Sequence, residues 1–245
     1  MSLKAWSAAA AHGYGERALV PDLYVARSHF LHRDFSFVMP PAMDGDFKIA
    51  ECVKKRLVFV KSKVTALKAT TVSNGVKQPT RVGAVTALIW KCADFTSRLN
   101  SGYSKNSILT QVVNIRKRVE PPFVENSVGN LIDYFAVQVD QDQNEQKVVD
   151  LVAKRRDGIN KYSENEVRKL RGEGASDYIS QHSREVGDFV RRNDANLFLC
   201  SSWCKLEFYE ADFRLGTANL GDCSGKANMA SFEHDPELLA FAAQI

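Results

Sequence analysis

Apolar residues recur at three- and four-residue steps through residues 78–99, where Val82, Val85, Leu88, Ile89 and Cys92 fall on one face. That spacing predicts an amphipathic helix whose stripe packs into a core rather than forming a binding face. Strict alternation is the second pattern. Residues 109–116 alternate, which predicts a strand with Asn114 and Arg116 on the same side. Residues 55–60, 131–140 and 197–202 read as further strands. Helical spacing returns in residues 3–11, 145–171, 177–192 and 236–243. Ser62 is a plausible N-cap for another helix reaching Thr70. Gly172-Glu173-Gly174 separates the two long helical stretches. Residues 12–47 are rich in Gly, Pro, Asp and His and read as one long connection. Strands and helices interspersed in this way predict an α/β or mixed α+β fold.

A chain of 245 residues holds one large domain or two small ones. Hydrophobic content of 44% and charged content of 25% are those of a globular protein, and no apolar run is long enough to span a bilayer. The first residues lack a basic region followed by a long apolar run, so they are not read as a signal peptide. The expected compartment is the cytoplasm, with no membrane partner.

The net charge of +4 is mild, and it excludes little. Basic residues form short clusters: Lys54-Lys55-Arg56, Arg116-Lys117-Arg118, Lys154-Arg155-Arg156 and Arg191-Arg192. Nucleic-acid binding would gather them on one face beside a recognisable motif, so no nucleic-acid partner is expected. Solvated helix ends account for them best, although the first three could attract an anion such as a nucleotide phosphate. The five cysteines are Cys52, Cys92, Cys200, Cys204 and Cys223. No second pair with metal-ligand spacing accompanies Cys200 and Cys204, so no metal site is expected and mostly buried, reduced thiols are. Gly13-x-Gly15 and Gly172-x-Gly174 are fragments of phosphate-loop patterns without the full spacing.

One ordered series of motifs is far more specific. Pro79-Thr80-Arg81-Val82 leads into the run from Val85 to Cys92. Val113-Asn114-Ile115-Arg116 is followed by Pro121-Pro122 and then by Glu125 to Asn130. Ser201-Ser202-Trp203-Cys204 precedes Asp212-Phe213-Arg214-Leu215-Gly216, and the segment from Ala227 to Ala242 closes the series. The chain resembles the plant BAHD acyl-CoA-dependent acyltransferases, in their vinorine synthase-like branch, along nearly its whole length. That family carries Asp-Phe-Gly-Trp-Gly where this chain has Arg214 and Leu215. The family's His-x-x-x-Asp signature is also missing. Four residues beyond His12, His29, His32, His182 and His234 stand Glu16, Arg33, Ser36, Val186 and Leu238.

The resemblance implies an α/β fold, the C-terminal domain of a chloramphenicol acetyltransferase-like two-domain acyltransferase with an incomplete sheet. Residues 1–47 would be a remnant of the N-terminal domain, a helix plus crossover loop. Residues 48–245 would be the C-terminal domain, with a deletion around 217–226. There Asp222-Cys223-Ser224-Gly225 would be what is left of a late acidic turn. The implied chemistry is transfer of an acyl group from acyl-CoA to a hydroxyl or amine of a plant specialised metabolite. Acyl-CoA is then a co-substrate, and no tightly bound cofactor is expected. Asn114, Gly129 and Asn130 are the implied coenzyme A-binding residues. Arg116, Asp212 and Gly216 are structural, the first two as an ion pair. No residue is assigned as catalytic, because the family's histidine is the general base, and the chain alone is expected to be inactive. The alternative is a non-catalytic interaction protein, with a full-length paralogue as its possible partner, or a non-functional gene remnant.

Overall fold

The computed structural model describes residues 52–103, 105–118, 132–140, 146–161, 164–170, 174–175, 177–178, 180–181, 184, 195–204 and 222–244. The expected 3–11 helix, the 12–47 connection and Gly13-x-Gly15 lie outside the described residues. So does most of the expected 177–192 helix, of which the described positions 177, 178, 180, 181 and 184 are helical.

A three-stranded sheet organises the molecule. Strand β3 (Ser107–Asn114) lies at its centre, between β4 (Ile132–Val139) and β5 (Asn196–Cys200). β3 and β4 pair antiparallel over their full length, from Ser107 opposite Val139 to Asn114 opposite Ile132. β5 runs parallel to β3, from Ser107 beside Asn196 to Gln111 beside Cys200. Nearly every residue of β3 is buried, on both faces, as a central strand requires. Two short ribbons flank this sheet: β1 (Cys52–Lys55) with β6 (Asp222–Gly225), and β2 (Leu57–Val58) with β7 (Ala243–Gln244), both antiparallel.

The long helix α2 (Arg81–Ser101) is the backbone of the core. Its ends follow from local chemistry. The Thr80 hydroxyl accepts the Gly83 N–H at 3.0 Å, and Gly102 closes the helix at φ 74° with its N–H on the Arg98 carbonyl. Helix α1 (Lys61–Thr70) buries Val64 and Leu67 against it. Helices α3 (Val148–Lys161), α5 (Lys226–Phe232) and α6 (Pro236–Phe241) also pack on α2. Because neighbours surround it, α2 buries more than one stripe. Ala84, Ala87, Leu88, Trp90 and Cys92 are fully enclosed, while Val82, Val85 and Ile89 of the expected stripe are only partly buried. Trp90 reaches the sheet, donating its indole N–H to Ser107 Oγ at 2.7 Å.

The structure corrects several expectations. The single strand over 55–60 is two strands with different partners, divided at exposed Arg56. Ser62 is not the cap of α1; Val60 holds that position without a side-chain bond. Of the expected 145–171 helix, the described residues are helical over α3 and over α4 (Glu164–Lys169). Their buried residues join two apolar clusters: Leu151 and Val152 the α2 core, and Val167 and Leu170 that of Val113, Ile115 and Phe135, on which Ile159 of α3 also packs. Asp222-Cys223-Ser224-Gly225, read as a turn, is the strand β6. Only the sheet pairing with β1 could reveal that, because Gly, Ser and Asp are poor strand formers by themselves.

Candidate functional site

The family-like motifs meet at one end of the sheet. Parallel β3 and β5 both point their carboxyl ends there. Asn114 is exposed at the end of β3, and Ser201-Ser202-Trp203-Cys204 leaves β5 just beyond the level of Gln111. Ligands of open α/β sheets commonly sit beyond such carboxyl ends. The expectation that Arg116 continues the strand is wrong. Asn114 Oδ1 accepts the Arg116 N–H at 3.0 Å, and the Arg118 N–H donates to the Ile115 carbonyl at 2.8 Å. An asparagine that bonds its own chain two residues on makes a turn, not an extended strand. Arg116 is half-buried there, and desolvation pulls its guanidinium below the ordinary value. Gly129, Asn130, Asp212 and Gly216 lie outside the described residues, so the site is seen only through Asn114 and Arg116.

A polar cluster beneath the same sheet was missed by the sequence reading. Lys154-Arg155-Arg156 was expected to be a solvated helix end, yet Arg155 lies mid-helix in α3 and is only 7% exposed. Its position continues the apolar stripe of Val148, Leu151 and Val152. The Arg155 Nε–H donates to Gln111 Oε1 at 2.6 Å. Cys200 stands beside Gln111 in the parallel register, and its sulfur lies 3.6 Å from Thr86 Oγ1. Burial pulls the Arg155 guanidinium below its ordinary value, and the nearby Cys200 opposes that shift. The available signal was the stripe itself: a charge at its i+3 and i+4 position must be buried or must break the helix face.

The remaining candidate groups divide by exposure. Cys92 is buried, and desolvation, then the Asp235 and Glu237 carboxylates, push its thiol far above the usual range. It is a core residue. Cys200 is half-buried and Cys204 exposed, so Cys92 is the buried one of the three described thiols. His234 is exposed at the end of α5, with Nδ1 2.8 Å from the Ala230 carbonyl oxygen. Leu238, four residues on, is a fully buried core residue, so His234 has no carboxylate at that spacing. Among the described residues no group of His, Cys, Asp and Glu could hold a metal ion, and no helix is long and apolar enough to cross a membrane.

Comparison with known proteins gives this geometry its context. The model of the Transferase family matches residues 25–221. Akuammiline synthase 1 of Alstonia scholaris is 32% identical over 90% of this chain and 56% of its own length. BAHD acyltransferase BIA1 of Arabidopsis thaliana is 34% identical over 72% of this chain and 40% of its own. The chain thus spans about half the length of the curated relatives it matches. Vinorine synthase has a similar fold: its crystal structure superposes with a TM-score of 0.71 at 23% identity, over 98% of this chain and 58% of that one. The open α/β sheet described above is therefore an acyltransferase fold, and the chain belongs to the Transferase family as a BAHD-type plant acyltransferase.

Proposed function

We propose that this chain supplies the coenzyme A side of an acyl-CoA-dependent acyltransferase acting on a small plant metabolite. The observation that carries the reading is the convergence of the Asn114–Arg116 turn and the Ser201–Cys204 run at the carboxyl ends of adjacent parallel strands. Asn114, with Gly129 and Asn130, would contact the coenzyme. Arg116 would pair with Asp212 to brace the turn, with Gly216 closing the following segment. The chain would form the second half of a two-domain, chloramphenicol acetyltransferase-like enzyme.

In the reaction, a general base takes the proton of an acceptor hydroxyl or amine. The acceptor attacks the thioester carbonyl, and coenzyme A leaves as its thiol. Positioned base catalysis contributes about 10²- to 10⁴-fold. No His-x-x-x-Asp occurs in these 245 residues, so the chain acting alone should bind the donor without turning it over. Titration calorimetry with coenzyme A, run beside a thiol-release assay with acetyl-CoA and an alcohol acceptor, tests both parts. Binding without thiol release is expected, weakened in Asn114→Ala and Asn130→Ala. Binding unaffected by either substitution sinks the site assignment, and acceptor-dependent thiol release by the pure chain sinks the inactivity.

One observation favours a second reading, a non-catalytic protein that associates with a full-length paralogue. The sheet face carrying Thr110 and Asn114 also presents Ile132 at 46% and Leu199 at 62% exposure. Apolar residues on an open sheet face invite association. Co-purification with an intact paralogue, without coenzyme A binding by the pure chain, is the outcome that selects this reading.

A further inference from the structure

We propose that the first turn of α2 and the buried guanidinium of Arg155 together form a binding site for an oxyanion, a phosphate or a carboxylate. The inference does not rest on the acyl-transfer reading. It begins from a charge with no counter-charge. Arg155 is more than nine-tenths buried, and its one hydrogen bond goes from Nε to the neutral Gln111 amide. Among the described residues no carboxylate pairs with it.

What Nη1 faces is also positive. A Cβ built on Gly83 would lie 3.2 Å from Arg155 Nη1 and 3.0 Å from Thr80 Oγ1. The guanidinium thus sits against the first turn of α2, in space kept open by the lack of a side chain at position 83. That turn contains no acidic residue, and its first residue is Arg81. A helix start carries roughly half a positive charge, and its leading N–H groups point outward without partners. Thr80 satisfies the Gly83 and Ala84 N–H groups, through its hydroxyl and its carbonyl respectively. The N–H groups of Arg81 and Val82 remain to face a ligand. A largely buried cation packed against a helix start is unfavourable, and an anion bound by both at the solvent edge would relieve it.

The surroundings fit such an anion. Thr80 and Arg81 are exposed, so the turn is open to solvent while Arg155 forms its inner wall. The ligand class is set by the donors: backbone N–H groups and a planar guanidinium fork match the oxygens of phosphate and carboxylate. The one internal alternative is the Cys200 thiol acting, deprotonated, as the counter-ion.

Thermal unfolding of the full 245-residue chain tests the site, with inorganic phosphate, acetate or chloride added at matched ionic strength. Phosphate or acetate should raise the midpoint with a saturable dependence, and chloride should not. Whichever of the two acts identifies the oxyanion. Arg155→Met should lower the apparent affinity about tenfold or more, the loss of a charge-assisted contact. Gly83→Ala should lower it too, by pushing the guanidinium off the turn. Met suits an apolar stripe, so Arg155→Met should remain folded. If it does not, phosphorus NMR line width of inorganic phosphate against wild type and Gly83→Ala gives the same comparison. Stabilisation equal in wild type and Arg155→Met, or none with either oxyanion, overturns the proposal. So does iodoacetamide alkylation of Cys200 at a rate that stays flat between about pH 6 and about pH 9, because the thiolate is then the counter-ion.

Discussion

Arg98 and Arg155 are both cations held against the helices of one core, and they are compensated in different ways. Arg98 stands one turn after Asp94 on α2, and the two pair at 2.6 Å with Asp94 only 5% exposed. Both partners lie on one helix, so forming the helix brings them together. Arg155 instead stands on an apolar stripe and meets a neutral amide from β3. Compensation within a helix marks a charge that serves the fold. A buried charge left without it points to something the fold alone does not supply.

The largest expected effect separates the two directly. Arg98→Ala leaves the buried Asp94 carboxylate alone and should cost about 3–5 kcal/mol in urea denaturation. A cost near zero would mean that solvent reaches Asp94 and that the pair is not structural. Arg155→Met in phosphate-free buffer should move the other way or hardly at all. Losing the Gln111 partner costs about 1–3 kcal/mol, while removing an uncompensated charge from an apolar stripe offsets it. The double variant Arg155→Met with Gln111→Leu should therefore be more stable than wild type by the same measurement. A double variant several kcal/mol less stable would show that Arg155 is a satisfied structural residue.

The smallest effect belongs to a third pair, between strand β1 and helix α5. The Lys55 ammonium bonds Glu233, and that hydrogen bond holds the carboxyl below its ordinary value of 4.5. A depressed carboxylate pKa contributes stability above the unfolded value, and the contribution fades as pH falls through the folded value. Lys55→Ala should therefore lower stability slightly above about pH 4.5, remove the fall that sets in just below it, and leave the most acidic side unchanged. A uniform loss across the whole range would point to lost packing instead.

How much was legible follows from which signals are local. Helix α2 could be read because its three- and four-residue period lies within the helix itself, and the expected bounds of 78–99 fall within three residues of Arg81–Ser101. Strands β3, β4 and β5 appeared within two residues of their expected bounds. The motif series around Asn114 also led to the family. The sequence could not show that Asn114 ends its strand, because the Asx turn competes with alternation over the same residues. It could not divide residues 55–60 either, since the partners of that division, β6 and β7, lie more than 160 residues away.

By itself, then, the sequence determined the helix periods, the alternating strands and family membership, all of which are properties of neighbours along the chain. Only the tertiary structure decided that α2 is enclosed on several sides and that the motif runs converge at the ends of β3 and β5. It alone moved Arg155 from an expected solvated helix end into a core beside Gln111, Gly83 and Cys200. The reason is physical: burial and charge compensation depend on which distant elements pack together, and one stripe of one helix does not carry that information.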